Sequence, residues 1–253
     1  MALENESSEV PELSVVVPVH NEAENITPLV AEIREALDGK FNYEIVYVDD
    51  GSTDDTLAIL RSIAAEFPRL RVIHHKTCFG QSAAIWTGVK EARGQWIATL
   101  DGDGQNDPKD ILRIIDLKGG IEGLDPSLVL CGYRRKRRDT WLKRISSRIA
   151  NGVRSALLKD NTPDTGCGLK IFARHAYLSL PFFDHMHRFL PALFLAKGAK
   201  VESVEVNHRS RRRGQTHYGI KNRLWIGIID LMGVMWLRRR LKNPIAREEN
   251  IES

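Results

Sequence analysis

Cysteine is scarce. There are three in 253 residues, Cys78, Cys131 and Cys167, an odd number, widely spaced and without a C-x-x-C pair. That pattern argues against a disulfide framework and against a zinc site, and it suits a reducing compartment. No apolar run approaches the ~20 residues that a membrane-crossing helix needs. The opening MALENESSEVPE has neither the basic start nor the apolar core of a secretory leader, so export is not expected. There is no internal repeat, no low-complexity tract and no Pro-, Gly- or Ser-rich linker that would separate two independent domains. The net charge is only +4 and the two signs nearly balance, which excludes the highly charged, core-poor class of disordered chains. What is present is 42% hydrophobic content, enough for one sizeable core or one core plus a lobe.

That content is laid out as alternating strands and helices. LSVVV (13–17) is a short continuous apolar run of the kind buried on both faces of a parallel sheet, and Pro18 to Asn21 end it. Residues 22–37 then show helical spacing. YEIVYV predicts a second strand to Val48, followed by a helix from Asp54, a residue type suited to an N-cap, to Phe67. LRVIHH predicts a third strand, QSAAIWTGVKEA a third helix closed by Gly94, and QWIATL a fourth strand. Four alternations with short connections predict an α/β domain with a largely parallel sheet. Beyond Pro108 the rhythm changes. Strands are expected in SLVLCGY, GCGLKIFA and AKVESVEVNH, helices over 139–158, near 188–197 and over 221–240, and a frayed tail after Pro244.

Ligands of such sheets bind at the carboxyl ends of the strands. The residues just past the strands are therefore the informative ones: Pro18 to Glu22, Asp49 to Gly51, and Asp101 to Gln105. In TLDGDGQNDP (99–108) a strand ends in two aspartates one residue apart. Both carboxylates can face one hard cation, and Mg²⁺ or Mn²⁺ prefers such oxygen ligands and shares them with substrate phosphates. Gly102 between them allows close backbone approach. The alternative is a polar turn held by Asx-type hydrogen bonds.

Taken together, VVVPVHNEAENI, YVDDGSTDDT and DGDGQNDP resemble the family 2 glycosyltransferases, which have the GT-A fold; the match covers about the first 110 residues, in order. The resemblance implies a GT-A, Rossmann-like, mostly parallel sheet flanked by helices. It implies a nucleotide-sugar donor and a metal cofactor, Mg²⁺ or Mn²⁺. Carried over residue by residue, Pro18, His20 and Glu22 line the nucleoside, Asp49 or Asp50 hydrogen-bonds the base, and Asp101, Asp103 and Gln105 hold the metal and diphosphate. His20 stands where many relatives have tyrosine, so its ring either stacks on the base or is a solvated turn histidine.

The second half resembles one branch of that family. DTGCGLKIFAR and NHRSRRRGQTHYG are similar to segments of the polyprenyl-phosphate (dolichol-phosphate mannosyltransferase-like) enzymes. The latter corresponds to R-x-x-G-x-S-K-Y and reads Arg211, Gly214, Thr216, His217, Tyr218, with histidine in place of lysine. Ahead of both lies a stretch, Arg134 to Arg148, dense in Lys and Arg against the single Asp139. It reads either as a solvated basic face or as an anion-binding surface. The resemblance implies that Arg134, Lys143 or Arg144, and Ser147 grip a lipid phosphate, and that Arg211 reaches the donor diphosphate. Arginine suits the task because its planar fork matches phosphate oxygens. It also implies inverting displacement at the sugar C1, with GDP-mannose and UDP-hexoses both open as donors. Asp164 is ambiguous: a base in transferases acting on hydroxyls, or a residue that orients the sugar or fixes the loop.

The stretch Leu224–Leu237 holds one charge, Asp230, and is followed by Arg238, Arg239 and Arg240. At ~1.5 Å per residue it reaches only about 20 Å, too short to cross a bilayer. It suits an amphipathic helix lying in the interface, or else a core helix or an oligomer contact. The expected organisation is a flexible 1–11, a catalytic domain over 12–219, the apolar and basic helix over 220–243, and a tail over 244–253. The expected partners are the donor, the polyprenyl phosphate and the membrane surface at its cytoplasmic face. An integral-membrane partner or a homo-oligomer is compatible with this, and no nucleic acid is expected. Two other functions compete: transfer to a saccharide or protein hydroxyl, and a module that binds anionic membrane or nucleic acid. Neither the Q-x-x-R-W signature nor the long spans of processive synthases are found.

Overall fold

Every residue of the first strand, β1 (Leu13–Val19), is buried, and so is every residue of β2 (Tyr43–Asp49). Seven consecutive buried residues do not fit a half-solvated strand; they require cover on both faces, as in a parallel sheet between helical layers. The computed structural model describes residues 10–134, 152, 154–209 and 221–242. The remaining strands are β3 (Leu70–His74), β4 (Trp96–Thr99), β5 (Leu128–Tyr133), β6 (Lys170–Ala173) and β7 (Lys200–Glu205). The helices are α1 (Ala23–Leu37), α2 (Thr56–Glu66), α3 (Gln81–Glu91), α4 (Lys109–Asp116), α5 (Arg174–Leu178), α6 (Leu190–Ala196) and α7 (Lys221–Arg240). A single 3₁₀ turn spans Met186–Arg188.

The strands form one sheet in the order β3-β2-β1-β4-β6-β5-β7. All neighbours are parallel except β6, which runs antiparallel to both β4 and β5. This is the GT-A arrangement of an α/β chain. Chain order reverses direction at β1, with β2 on one side and β4 on the other, so a crevice opens at their carboxyl ends. One face is packed by α1, α2 and α4, whose Ile26, Leu29, Ile33, Leu60, Ile111 and Ile115 meet Leu13, Val15 and Ile45. The other face is packed by α3, α5, α6 and α7 through Ile85, Val89, Tyr177, Phe194 and Val234 against Val16, Val46 and Val48. Odd and even residues of β1 thus go to opposite layers, as a period of two dictates.

Several expectations are corrected. Pro18 does not end β1; it lies within it, opposite Val48. The β1–β4 ladder stops at the Val16–Thr99 pair, so the N–H that proline lacks would have had no strand residue to meet there. Two helices were not anticipated, α4 and α5. In α4 the signal was present, since Ile111, Ile114 and Ile115 are spaced for one helical face. Strand β6 starts only at Lys170, because residues 164–169 are drawn into a loop over the end of β4. Strand β7 stops at Glu205. The helix expected near 188–197 is the shorter α6. Of the basic helix expected over 139–158, residues 139–151 and 153 lie outside the described ones; residues 154–158 are helical. Helix α7 matches its expected span.

Helix α3 sits unusually close to the sheet. A Cβ on Gly88 would fall 2.4 Å from Val16 Cγ1 and 3.0 Å from Val48 Cγ2. Gly88→Ala must push α3 off β1 and β2, and overpacking of this kind costs about 1–3 kcal/mol. Urea unfolding is expected to show a lower midpoint with an unchanged slope.

Candidate active site

The loops after β1 and β2 are joined to each other. Asn21 takes a left-handed conformation (φ 55°). Its N–H donates to Ser52 Oγ at 2.9 Å, and its side-chain oxygen accepts the Thr53 N–H at 2.7 Å. Glu22 N–H donates to Thr56 Oγ1. Asp54 accepts from Thr56 N–H at the start of α2 and from Ala23 N–H at the start of α1, so one carboxylate serves two helix N-termini. His20 is half-buried; its Nδ1–H donates to the Asp50 carbonyl at 2.8 Å, which fixes the ring. Pro18, His20 and Glu22 thus follow one another from the carboxyl end of β1 to the start of α1, with Pro18 buried in the strand itself.

The two aspartates ending β2 are buried and fully engaged. Asp49 accepts from Ser52 N–H and from His74 Nδ1 at 2.8 Å. Asp50 accepts from His75 Nδ1 at 2.7 Å, Cys78 Sγ, and the N–H groups of Phe79 and Gly80 at 2.9 and 2.7 Å. Burial opposes ionisation of Asp50, but these four donors win, and the carboxyl is held below the ordinary carboxylate range. In this structure Asp50 organises the loop after β3, while Asp49 ties the turn after β2 to the end of β3. Gly51 is part of the same packing: at φ 68° its Cβ would fall 2.5 Å from the Thr77 carbonyl carbon.

The D-G-D turn follows β4 directly. A Cβ at Gly102 would lie 2.3 Å from Val19 Cγ1 and 2.9 Å from the Pro18 carbonyl oxygen, so the close approach this glycine permits is to the end of β1. Asp101 accepts from Gln81 Nε2 at 2.9 Å, at the first residue of α3. On another side, a Cβ at Gly168 would fall 2.3 Å from the Asp101 carboxyl carbon, so any side chain there would displace the carboxylate. Burial and the neighbouring Asp103 push Asp101 up to about 6, against the opposing pull of Lys170, Arg134 and Gln81. Asp103 caps the Gln105 N–H at 3.1 Å. Gln105 reaches the Arg209 carbonyl through Nε2 at 3.4 Å and accepts the Arg209 N–H on its own carbonyl. Arg209 is in turn anchored by Glu32 and Asp107 at 2.7 and 2.9 Å.

Two cations stand behind this turn. Lys170, buried opposite Thr99, donates to the carbonyls of Cys167 and Thr165 and lies within electrostatic reach of Asp101. Arg134, just past β5, is held by Asp164 through Nε at 2.6 Å and Nη2 at 2.9 Å, with the Arg134 N–H also donating to Asp164 at 3.3 Å. The site thus unites Pro18, His20, Glu22, Asp101, Asp103, Gln105, Arg134 and Asp164 at one edge of the sheet. Lys143, Arg144, Ser147 and Arg211, with Gly214, Thr216, His217 and Tyr218, lie outside the described residues. Gln81, Gly168 and Lys170 were missed by sequence reasoning. Gln81 opens α3, well beyond the end of β3, so the rule used for residues just past the strands does not reach it.

The arrangement fits a divalent cation. Burial and the second carboxylate both disfavour the ionised form of Asp101, and a hard cation would offset both. Among the described residues no three His, Cys, Asp or Glu side chains are placed to hold a metal by themselves. A magnesium-type site uses one or two carboxylates and completes its shell with water and substrate phosphate.

Comparison with known proteins places this geometry in a family. Residues 14–180 match the model of glycosyl transferase family 2. The chain is 37% identical over 238 residues to a dodecaprenyl-phosphate galacturonate synthase of Rhizobium johnstonii, covering 92% of this chain and 69% of that one. It is 31% identical over 210 residues to an undecaprenyl-phosphate 4-deoxy-4-formamido-L-arabinose transferase of Aeromonas hydrophila, covering 82% and 63%. The chain spans about two thirds of the length of these curated relatives. Two solved structures share the fold. One is glucosyl-3-phosphoglycerate synthase from Mycobacterium tuberculosis with Mn²⁺ and UDP (TM-score 0.64, 18% identity, 92% of this chain and 81% of that one). The other is a mannosyltransferase from Pyrobaculum calidifontis with GDP-Man and Mn²⁺ (TM-score 0.61, 21% identity, 94% and 67%). The chain belongs to glycosyl transferase family 2.

Because the folded-state pKa of Asp101 lies above its ordinary value of 3.8, the folded protein binds that proton more tightly than the unfolded chain. Stability is therefore lost as pH rises from about 4 through about 6, on the order of 2–3 kcal/mol for this group. Asp101→Asn is expected to leave stability unchanged near pH 4 and to raise it at pH 8. Thermal melts at both pH values, with and without Mn²⁺, check this: the cation should stabilise the wild type at pH 8 and not the variant.

Proposed function

We propose that this chain transfers a glycosyl group from a nucleoside-diphosphate sugar to a polyprenyl monophosphate at a membrane surface, with inversion at C1. The observation that carries the reading is the placement of Arg134 beside Asp101, so that a fixed cation stands next to the carboxylate pair that suits a metal–diphosphate. The likeness to enzymes named for dodecaprenyl-phosphate and undecaprenyl-phosphate products supports the lipid acceptor. Those relatives are named for galacturonate and a formamido-arabinose, not mannose, so a nucleoside-diphosphate hexuronate is the first donor to test, ahead of GDP-mannose and UDP-glucose.

In this reading Pro18, His20 and Glu22 line the nucleoside, and Asp49 and Asp50 act on the base through the loops they hold. Asp101, Asp103 and Gln105 hold Mg²⁺ or Mn²⁺, which when bound supplies charge stabilisation to the departing diphosphate. Arg134 meets the incoming phosphate, with Lys143 or Arg144 and Ser147 beside it, and Arg211 closes over the donor. A phosphate monoester is ionised near pH 7, so the attacking oxygen carries no proton that must be removed. Asp103→Asn is expected to lower transfer at least a hundredfold while the fold survives. Incorporation of radiolabelled sugar into the organic phase measures this; full activity in excess chelator would sink the metal assignment.

The membrane part of the reading rests on α7. Its inner side packs Val234, with Leu231, Met235 and Leu237, on the sheet layer. Its one acid, Asp230, faces the protein, 3.0 Å from His185 Nδ1. The outer side exposes Ile229, Met232 and Trp236, each more than 60%, and leads into Arg238 to Arg240. No helix of the described residues is long and apolar enough to cross a membrane. An apolar stripe followed by arginines suits an anionic interface, where each basic residue is worth about 1 kcal/mol. Binding to vesicles of phosphatidylcholine with phosphatidylglycerol is expected, weakened by salt and by Met232→Ser with Trp236→Ser. If the paired change leaves vesicle binding intact but converts a dimer to a monomer, the stripe is an oligomer contact instead.

A further inference from the structure

Asp164 holds its arginine in an unusually complete grip. Two of the five guanidinium N–H donors and the Arg134 backbone N–H all go to this one carboxylate, and both side chains are about nine-tenths buried. The loop wraps them tightly, since a Cβ at Gly166 would fall 3.3 Å from Arg134 Nη2 and 3.6 Å from Asp164 Oδ1. Among the described residues the Nη1 edge of the fork meets no acceptor. The guanidinium also lies within electrostatic reach of Asp101.

We propose that Asp164 is a positioning residue that locks the Arg134 fork so that its Nη1 edge receives the acceptor phosphate, and that it takes no proton in the reaction. The inference rests on the lipid-phosphate reading above and assigns within it the one carboxylate whose role the sequence leaves open. Donors of Arg134 already occupy three of this carboxylate's roughly four lone-pair positions, which suits an anchor for the fork better than a base. The chemistry asks for none. A lone pair of the phosphate oxygen forms the new bond to C1, the bond from C1 to the diphosphate oxygen breaks, and that electron pair leaves with the nucleoside diphosphate. No proton changes hands. Restricting the fork to one edge also explains how a buried arginine grips a dianion without collapsing onto Asp101. Its alternative partner is already supplied, and the rotamer freedom it would otherwise lose on binding is spent during folding.

The test uses the full chain with Mn²⁺, a short-chain polyprenyl phosphate as acceptor, and the variants Asp164→Asn, Gly166→Ala, Arg134→Lys and the Asp164→Asn, Arg134→Lys pair. Asp164→Asn should raise the acceptor KM about tenfold or more, the usual effect of losing a charge-assisted contact. It should change kcat less than about threefold, leave the shape of the pH profile intact, and have little further effect once Arg134 is lysine. Gly166→Ala should show the same selectivity, since its Cβ presses on Nη2. A hundredfold fall in kcat at unchanged acceptor KM, with loss of the acidic limb of the pH profile, would show that Asp164 is the base and overturn the proposal. Unchanged binding of nucleoside diphosphate confirms that each variant is folded. Reaction of Arg134 with phenylglyoxal, followed by mass spectrometry, reads the grip directly. Faster modification in Asp164→Asn than in wild type supports it and equal rates overturn it, even if wild-type protein transfers nothing to polyprenyl phosphate and the acceptor reading alone fails.

Discussion

The carboxylate of Asp101 has almost no room. Backbone presses on it at Gly168, Gln81 bonds it from the start of α3, and the turn that carries it is pinned through Gly102 to the end of β1. Three separate segments of chain must be correctly placed for this one group to fit, and the enclosure raises the energy of its ionised form. A divalent cation, in the proposed reading, would offset that cost.

Strand β6 explains how so many groups reach one edge. Parallel strands deliver residues at or beyond their carboxyl ends: Asp49 from the end of β2, His20 and Asp101 past β1 and β4, and Gln81 at the start of α3. An antiparallel neighbour presents its amino end there instead. Since β6 runs against β4 and β5, the loop preceding it, with Asp164, Gly166 and Gly168, arrives over the same crevice. Strand β5, parallel to the rest, brings Arg134 to meet it. Asp101 then lies within electrostatic reach of Arg134 and Lys170, and Asp164 is paired with Arg134. Buried ions are tolerated only when paired and hydrogen-bonded in this way.

On the opposite layer, α7 is apolar on two sides for two reasons. Its inner side belongs to the core around Phe194 and Tyr177, and its outer side has no protein cover among the described residues. The pairing of Asp230 with His185 keeps the only acid of the apolar stretch off that outer side. His185 is itself held in a left-handed conformation one residue before the 3₁₀ turn. Within that turn the half-buried His187 accepts from Ser82, and desolvation together with Arg188 and Lys170 lowers its pKa to about 3, so it stays neutral. A neutral histidine there is a structural strut between α3 and the 3₁₀ turn, with no charge to add to the site.

What could be read from the chain alone was whatever depends on neighbours in sequence. Continuous apolar runs marked the parallel strands, because burial on both faces leaves no alternation. Aspartates just past strands marked a candidate site, because the carboxyl edge of such a sheet is where ligands sit. The basic end of α7 and its length were equally plain. Pro18 was misread, since a local rule for proline cannot know that the adjacent ladder stops two residues earlier. Gln81 meets Asp101 across 20 residues and Asp164 meets Arg134 across 30, and no periodicity encodes such pairings. The same holds for Asp50, which the sequence offers as a ligand for the base and the fold commits to four donors from the next loop. Residue type and spacing determined that carboxylates and arginines would stand at one edge of an α/β sheet. Only the tertiary structure decided which of them are tied to each other and which remain for a ligand, because that depends on distances set by the packing of segments far apart in the chain.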